Sequence, residues 1–412
     1  MAAGGGGSFS APAPPQALTF ELVGSGNNAG WVEIPYPQIL TDDGGTIFGW
    51  VDGSDGDVMC SRYDHASQTA STPFQLHAAL GGEGTADNHD NPAFHVRSDG
   101  KYLVAYCRHA DTTGLRFRVS TNAGDATAWG SEYTVDRGNQ HDYPSFFQVG
   151  STLWLLYRNT TSGQNANLCW IKSTDDGATW SGSTNTPEVS VYNGVSSHTP
   201  YWRLWLDEST GFIHVVVTDL EPNTASKLGH FYIDTADGKT YKSDGTEITA
   251  TRPFLFTDIA QIDDGTAGST MTWGVTVDAS HHPVAIYMRH LTSDNAIRLA
   301  SWSGSAWATE EIVSTVNGQL GINKFGSGCA IDPLDPTRVW IPKKVSSIFE
   351  MFEYRKSGSW SGTQLTSGSS RDQVWPAATK GSDGTVDVMW QDGSYTDDTH
   401  FGPGAIIGYG RG

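Results

Sequence analysis

The feature that most constrains this chain is an apolar segment that recurs seven times along its length. Each copy is a short run rich in β-branched, aliphatic and aromatic residues, which favours a buried strand. The copies begin roughly 40 to 70 residues apart, a period typical of repeat architectures. They read TIFGWVDG (46–53), KYLVAYCRH (101–109), STLWLLYRN (151–159), GFIHVVVTD (211–219), HPVAIYMRH (282–290), RVWIPKK (338–344) and TVDVMWQDG (385–393). Further strand-like stretches follow most copies, and helical periodicity is almost absent.

A four-stranded unit repeated seven times is typical of a β-propeller. The sequence therefore predicts an all-β, seven-bladed β-propeller with an N-terminal Gly/Pro-rich arm. The composition agrees, because 48 Gly among 412 residues supply turns and 15 Trp, 15 Tyr and 16 Phe supply strand and core residues. We assign residues 1–25 to the N-terminal arm or assembly linker and residues 26–412 to the propeller.

The arm opens with MAAGGGGSFSAPAPPQAL, which contains no Lys or Arg. A secretory signal needs a basic start and an apolar run, so we expect none here. A glycine run has no packing face of its own, and we expect the arm to join copies into a homo-oligomer or a larger assembly. These features together predict a virion-associated protein or an extracellular particle rather than a free cytoplasmic protein.

The net charge of −20 narrows the partners that the chain can bind. Nucleic acid and anionic membranes are not expected, because both require a basic surface. An anionic ligand could bind only where Arg or His side chains oppose the overall negative field.

Propeller geometry gathers one set of polar residues. The first strand of each blade starts at the face where its hairpin partner ends, so residues at these two positions converge on one funnel. In blades 2 to 5 these positions hold His, Arg and Tyr side chains. They are His89, Arg108, His109, His141, Tyr143, Arg158, His198, Tyr201, Arg289 and His290. The structural alternative is that each His caps its strand by bonding to the neighbouring blade.

This combination suits the β-elimination of a uronate glycan, in which the C5 proton is removed and the C4 oxygen leaves. An Arg can neutralise the adjacent carboxylate through paired hydrogen bonds. A His or Tyr can take the proton, and a second such group can protonate the leaving oxygen. Glycoside hydrolysis is less favoured, since no paired carboxylates occupy equivalent positions.

Blades 2 to 5 resemble the BNR-repeat family that includes the seven-bladed ulvan lyases, over roughly residues 85–310. The stretches that carry the resemblance are HDNPAFHVRSDGKYLVAYCRH, HDYPSFF…LWLLYRN, VVVTDLEPN…GHFYIDTADGKTYKSDGTEIT and MTWGVTVDASHHPVAIYMRH. The resemblance implies a polysaccharide lyase that cleaves an ulvan-like, uronate-containing anionic polysaccharide.

The same resemblance implies roles for individual residues. Arg158 would neutralise the carboxylate, Tyr143 and His89 would be the acid and the base, and His109 would contact or orient the substrate. With Tyr201, these form the candidate catalytic set. The candidate substrate-binding residues are Arg108, His141, His198, Trp202, Arg289 and His290, with Trp202 placed to stack on a sugar ring.

Two other functions remain open. The first is a non-catalytic carbohydrate-binding, adhesion or structural protein of a virion fibre or spike, such as a phage fibre. This alternative and the lyase combine in a phage depolymerase, which would be a lyase carried by the particle. The second is a sialidase, prompted by a complete Asp box at 173–180, although the F-R-I-P opening of sialidases is missing. We expect the Asp box, and its degenerate copy at 120–129, to be structural turns.

No cofactor is required for the proposed chemistry, and no metal is expected at the funnel. The acidic turn at 52–57 could hold a structural Ca²⁺, or could be a hairpin turn without an ion. The four cysteines lack C-x-x-C spacing and are expected to be free and mostly buried.

Overall fold

The structure is a computed structural model. It describes residues 17–20, 28–30, 36–53, 55–80, 87–109, 112–160, 166–183, 187–193, 200–219, 225–291, 295–315, 318–321, 326–381, 386–393, 402–403 and 405–410. Seven antiparallel sheets follow one another along the chain, each with four or more strands. The predicted seven-bladed propeller is therefore confirmed. Consecutive strands pair as hairpins within each sheet, which is the connectivity that short turns between strands favour.

Blades 1 to 4 follow one another in chain order. Blade 1 contains Ile39–Asp42, Gly45–Asp52, Val58–Asp64, Thr69–Ala70 and Phe74–His77, with Asn28–Gly30 and Gly402–Pro403 added to its sheet. Blade 2 contains Ala93–Val96, Tyr102–Tyr106, Leu115–Val119 and Tyr133–Val135. Blade 3 contains Gln140–Val149, Thr152–Thr160, Ala166–Ser173 and Val189–Asn193. Blade 4 contains Tyr201–Asp207, Phe212–Thr218, Leu228–Asp234 and Thr240–Lys242, with Ala260–Asp263 paired to its third strand.

The remaining three blades complete the ring. Blade 5 contains Ser269–Val277, Pro283–His290, Asn295–Trp302 and Trp307–Ser314. Blade 6 contains Ala330–Asp332, Asp335–Val345, Ile348–Ser357 and Ser359–Gln364. Blade 7 contains Asp372–Ala378, Val388–Gly393, Ala405–Tyr409 and Ala17–Phe20. Two 3₁₀ turns are described, Asn88–Asp90 and Phe256–Asp258.

The hydrophobic core lies between the facing sheets of neighbouring blades. In one cluster, Leu103 and Phe117 of blade 2 pack with Phe146 and Leu155 of blade 3. The second strand of blade 3, Thr152–Thr160, is buried along its whole interior, because both of its faces are covered by other blades. Burial on two faces explains why these strands appear in the sequence as continuous apolar runs rather than as alternating ones.

The last blade is completed by the N-terminal strand. Ala17–Phe20 pairs antiparallel with Ala405–Tyr409, in the register Ala17↔Tyr409 to Phe20↔Ile406. This strand falls within the range 1–25 that the sequence analysis assigns to the arm, so that part of the range belongs to the propeller sheet. Residues 1–16 lie outside the described residues, and assembly through the arm stays a prediction.

The Asp box forms a turn between the third and fourth strands of blade 3. Asp175 accepts hydrogen bonds from the backbone N–H of Thr179 at 2.8 Å and from its hydroxyl at 2.6 Å. Asp176 accepts from the backbone N–H of Ser98 in blade 2 at 2.9 Å, so the box also joins two blades. These contacts agree with the structural role expected from the sequence. All four cysteines are free and buried, also as expected.

Candidate active site

The structure brings the five candidate catalytic residues into one continuous cluster. His89 lies in the 3₁₀ turn before the first strand of blade 2, and its ring stacks on His109 with centroids 4.3 Å apart. The same ring lies 5.8 Å from the ring of Tyr143 in blade 3. Tyr143 in turn lies 6.5 Å from Tyr201 and directly below the Arg158 guanidinium, whose Cζ is 4.3 Å from the ring centroid. This convergence is what the strand-start and hairpin-end positions predict, while the catalytic role stays a prediction.

A β-bulge sets the direction of Tyr143. The register of the first hairpin of blade 3 shifts between Asp142 and Ser145, and Tyr143 adopts a φ of 55°. A bulge inserts unpaired residues and turns a side chain away from the regular alternation. Blade 7 shows the same irregularity between Val374 and Ala377, where Trp375 has a φ of 54°. The bulge is therefore a feature of the scaffold that blade 3 uses to place a tyrosine.

Asp87 joins the two histidines, and the sequence analysis did not identify it. One of its carboxylate oxygens contacts His89 Nδ1, and the other accepts from His109 Nδ1 at 2.9 Å. Burial by itself would raise the pKa of Asp87, but hydrogen bonds from His109 and His89 more than offset this and hold the pKa well below its usual range. The carboxylate is therefore ionised at neutral pH. With Nδ1 of each ring donating to Asp87, the opposite nitrogen Nε2 is left as a proton acceptor.

Asp90 is a second carboxyl group that the sequence analysis missed. It is fully buried, and one of its oxygens accepts the backbone N–H of His109 at 2.5 Å. Its other oxygen, Oδ2, has no hydrogen-bond partner within the described part of the chain. Burial, together with the negative charge of Asp87, raises the pKa of Asp90 to about 8. Asp90 is thus mostly neutral at pH 7 and adds little charge beneath the histidine pair.

Arg158 is held by a carboxylate of its own strand pair. Asp142 lies opposite Arg158 in the register and accepts from both Nε and Nη2 at 2.9 Å. Both residues are deeply buried, with Arg158 3% and Asp142 1% exposed. Burial lowers the pKa of Arg158, but Asp142 more than offsets this and raises it, so the guanidinium stays charged. Among the described residues nothing hydrogen-bonds Nη1, which leaves its two N–H groups for a ligand.

The hydroxyl of Tyr143 is suited to donating a proton rather than accepting one. It is buried and has no hydrogen-bond partner among the described residues. Burial raises the pKa of Tyr143 well above its usual value of 10, although the charge of Arg158 opposes the shift. The phenol is therefore protonated at neutral pH. Since Tyr143 is only 2% exposed, groups that cover it must move before a ligand can reach its hydroxyl.

The candidate substrate-binding residues are placed less uniformly. Arg108 is exposed beside the histidine pair, and its positive charge acts on Asp90. Arg289 donates to Asp263 of blade 4, and His290 Nδ1 lies 2.7 Å from Asn295 Oδ1 within blade 5. His198 lies outside the described residues.

Two of these candidates are deeply buried. His141 is fully buried, stacks on Tyr157 at 5.5 Å, and accepts the backbone N–H of Arg137 through Nε2. Trp202 belongs to the apolar cluster between blades 3 and 4, and its stacking on a sugar stays a prediction. Successive strand residues point to opposite faces, and Trp202 therefore faces away from the side that carries Tyr201.

The acidic turn at 52–57, for which the sequence leaves open a structural Ca²⁺ or a hairpin turn without an ion, has carboxylates of Asp55 and Asp57 engaged in hydrogen bonds. Asp57 accepts from the backbone N–H of Ala79 at 2.7 Å and from the side chain of Gln75. Asp55 accepts from the backbone N–H of Asp57 at 3.3 Å. These contacts account for the turn as a hairpin, and the presence of Ca²⁺ stays untested.

Fold and sequence together place the chain in a known class. The family described as BNR repeat-containing matches residues 45–315, and the chain belongs to that family. No helix among the described residues has the length and apolar character needed to cross a membrane.

Among solved structures, the chain is similar to an ulvan lyase of polysaccharide lyase family PL25, at 13% identity over 96% of both chains and a TM-score of 0.74. A structure of that ulvan lyase bound to -[GlcA(1-4)Rha3S]- matches with the same values. The polysaccharide lyase Uly1 matches at 13% identity over 97% of this chain and 98% of that chain, with a TM-score of 0.60. At these identities the likeness establishes the fold alone. No curated protein matches the sequence.

Proposed function

We propose that this protein is a polysaccharide lyase that cleaves a uronate-containing anionic glycan by β-elimination. The observation that carries the proposal is the continuous cluster of an Asp87-bridged histidine pair, Tyr143 and Arg158 at one face of the propeller. The similar ulvan lyase that binds a glucuronate-containing fragment supports the same substrate class.

The cluster contains a group for each step of the reaction. His89 takes the C5 proton at Nε2, while Nδ1 donates to the ionised Asp87 and stabilises the imidazolium that forms. The C5–H electrons form the C4=C5 double bond, and the C4–O bond breaks. Tyr143, whose phenol is protonated at neutral pH, gives its proton to the leaving oxygen.

The uronate carboxylate needs positive charge to acidify the C5 proton. Arg158 offers the two N–H groups of Nη1, because Asp142 already engages Nε and Nη2. Exposed Arg108 lies beside the histidine pair and is the second cation that a glycan carboxylate can reach. We infer that the two arginines share this role, which differs from the assignment to Arg158 alone.

The test is the ultraviolet absorbance of unsaturated product after incubation with ulvan and other uronate polymers. His89→Gln removes the proposed base and should lower the rate about a hundredfold or more. His281→Gln is the matched control, because His281 is an exposed imidazole paired with Asp207 at 3.0 Å, outside the cluster. Full activity in His89→Gln would show that the base is misassigned.

One observation favours a second candidate, a carbohydrate-binding protein without catalysis. Tyr143 and Arg158 are buried, and the charge of Arg158 is paired with Asp142, so the cluster could serve the fold while the exposed Arg108 and His109 bind an anionic glycan. The virion or fibre context remains a proposal that rests on the arm at 1–16. Tight binding of one glycan with no cleavage of any would replace the lyase with this function.

A further inference from the structure

Asp87, His89 and His109 form a cluster with the composition of a metal site. Each side chain offers one ligand atom, and these three atoms lie within 4.8 Å of one another. In the part of the chain that the structure describes, this is the one group of three such side chains found so close together. Two imidazoles and a carboxylate match the ligand types of Zn²⁺ and neighbouring first-row divalent ions.

The ligand atoms converge on one small region. His89 Nδ1 contacts one oxygen of Asp87, and His109 Nδ1 lies 2.9 Å from the other. In a tetrahedral zinc site with bonds of about 2.0 to 2.1 Å, neighbouring ligand atoms lie about 3.3 Å apart. The three ligand atoms lie within 4.8 Å of one another, so they would have to draw closer by up to about 1.5 Å around an ion.

The cluster is also open to solvent. The side chains of His89, Asp87 and His109 are 19%, 29% and 37% exposed, so an ion can enter without unfolding the blade. Asp90 holds the backbone of His109 from below, which fixes one ligand in place. The ionised carboxylate of Asp87 and the chain's net charge of −20 favour a cation, while Arg108 and the Arg158 guanidinium beside Tyr143 oppose it.

We propose that Asp87, His89 and His109 bind a divalent transition ion such as Zn²⁺, with water in the fourth position, and that this ion inhibits the enzyme. The proposed inhibition rests on the proposed lyase function, whereas the proposed metal binding does not. A neutral imidazole that binds the ion through Nδ1 carries its hydrogen on Nε2. The lone pair that would take the C5 proton is then absent, so metal binding and proton abstraction exclude each other.

The binding half is tested by titrating ZnCl₂ into the chelator-treated full chain in a calorimeter, without glycan. Wild type should bind one ion per chain. Asp87→Asn and His109→Ala should each weaken binding about tenfold or more, and the control His281→Ala should bind like wild type. Absence of binding, or binding that neither substitution weakens, overturns the proposed site.

A second measurement separates this inference from the proposed function. The rate of unsaturated-product formation should fall in step with the zinc occupancy measured by calorimetry, and chelator should restore it. If zinc binds at the three residues but the rate of product formation is unchanged, the proposed inhibition is wrong. If no uronate glycan is cleaved even without metal, the lyase function and the inhibition both fail, while the calorimetry still decides the metal site.

Discussion

The buried pair of Arg158 and Asp142 allows the structural and the catalytic role of Arg158 to be separated. Substitution of Arg158 by Met keeps most of the side-chain volume but removes the charge that compensates Asp142. Both groups are almost completely buried, so Asp142 loses two donors and the positive charge beside it without gaining contact with water. Removing one partner of such a pair typically destabilises a protein by about 3 to 5 kcal/mol.

This free energy converts to a measurable change in melting temperature. At about 2.1 cal/mol/K per residue, the 412-residue chain has an unfolding entropy of about 0.9 kcal/mol/K if it unfolds as one unit. Arg158→Met should therefore lower the Tm by about 3 to 6 °C. The double variant Arg158→Met with Asp142→Asn should regain most of this loss, because no charge is then left unpaired.

The assay combines a calorimetric melt with the rate of unsaturated-product formation for wild type, both single variants and the double variant. If Nη1 of Arg158 contacts the substrate carboxylate, the double variant regains stability while its rate stays about a hundredfold or more below wild type. A double variant that regains both stability and rate would show that Arg158 serves the fold alone. An unchanged Tm in Arg158→Met would refute the reasoning about the buried pair.

Three further outcomes follow from the structure. Tyr143→Phe should lower the lyase rate about a hundredfold with no loss of Tm, because the hydroxyl has no partner to lose; a Tm loss of several degrees would contradict this. His214 and His230 are buried in blade 4, with Nδ1 of the first 3.1 Å from Nε2 of the second. Burial lowers the pKa of His214 to about 4 and lowers that of His230 as well. Both imidazoles remain neutral in the folded protein but become protonated near pH 6.5 in the unfolded chain. The free energy of unfolding should therefore be highest above pH 6.5, and His214 should lower it by about 3 kcal/mol as the pH drops toward 4. Melts across this range should show a smaller fall in His214→Asn, and an equal fall would count against the assignment. Finally, deletion of residues 1–16 should leave the Tm unchanged, whereas deletion of residues 1–20 removes the strand paired with Ala405–Tyr409 and should lower it.

The propeller could be predicted because its second strands are buried on both faces. Such strands appear in the sequence as continuous apolar runs, which can be recognised without knowing the tertiary contacts. The rim positions could be predicted for the same reason, since strand starts and ends fix which residues share a face. Asp87 and Asp142 could not be identified among 45 acidic residues, because their roles depend on contacts rather than on spacing. The Asp-x-His spacing of Asp87 and His89, which caps the 3₁₀ turn, is the one sequence signal that could have indicated the first of them.

The burial of two substrate-binding candidates has equally physical causes. Trp202 was expected near the ligand because it follows Tyr201, yet adjacent strand residues face opposite sides and the larger apolar ring is buried between blades. His141 would share the face of Tyr143 in a regular strand. The bulge between Asp142 and Ser145 breaks that alternation, and His141 packs on Tyr157 instead. A bulge depends on its partner strand, so one strand's sequence does not reveal it.

The closure of blade 7 has a consequence for how the chain is made. Ala17–Phe20 is synthesised before its partner strand Ala405–Tyr409, which emerges from the ribosome only after about 380 further residues. At roughly 5 to 20 residues per second, the early strand waits about 20 to 80 seconds with its edge unpaired. During that interval blades 2 to 6 can complete themselves by local hairpins, whereas blade 7 cannot, and the sheet of blade 1 still lacks Gly402–Pro403. The nascent ring therefore stays open at one seam until Ala405–Tyr409 has been synthesised, and an unpaired edge at that seam is where two nascent copies would most readily join by mistake.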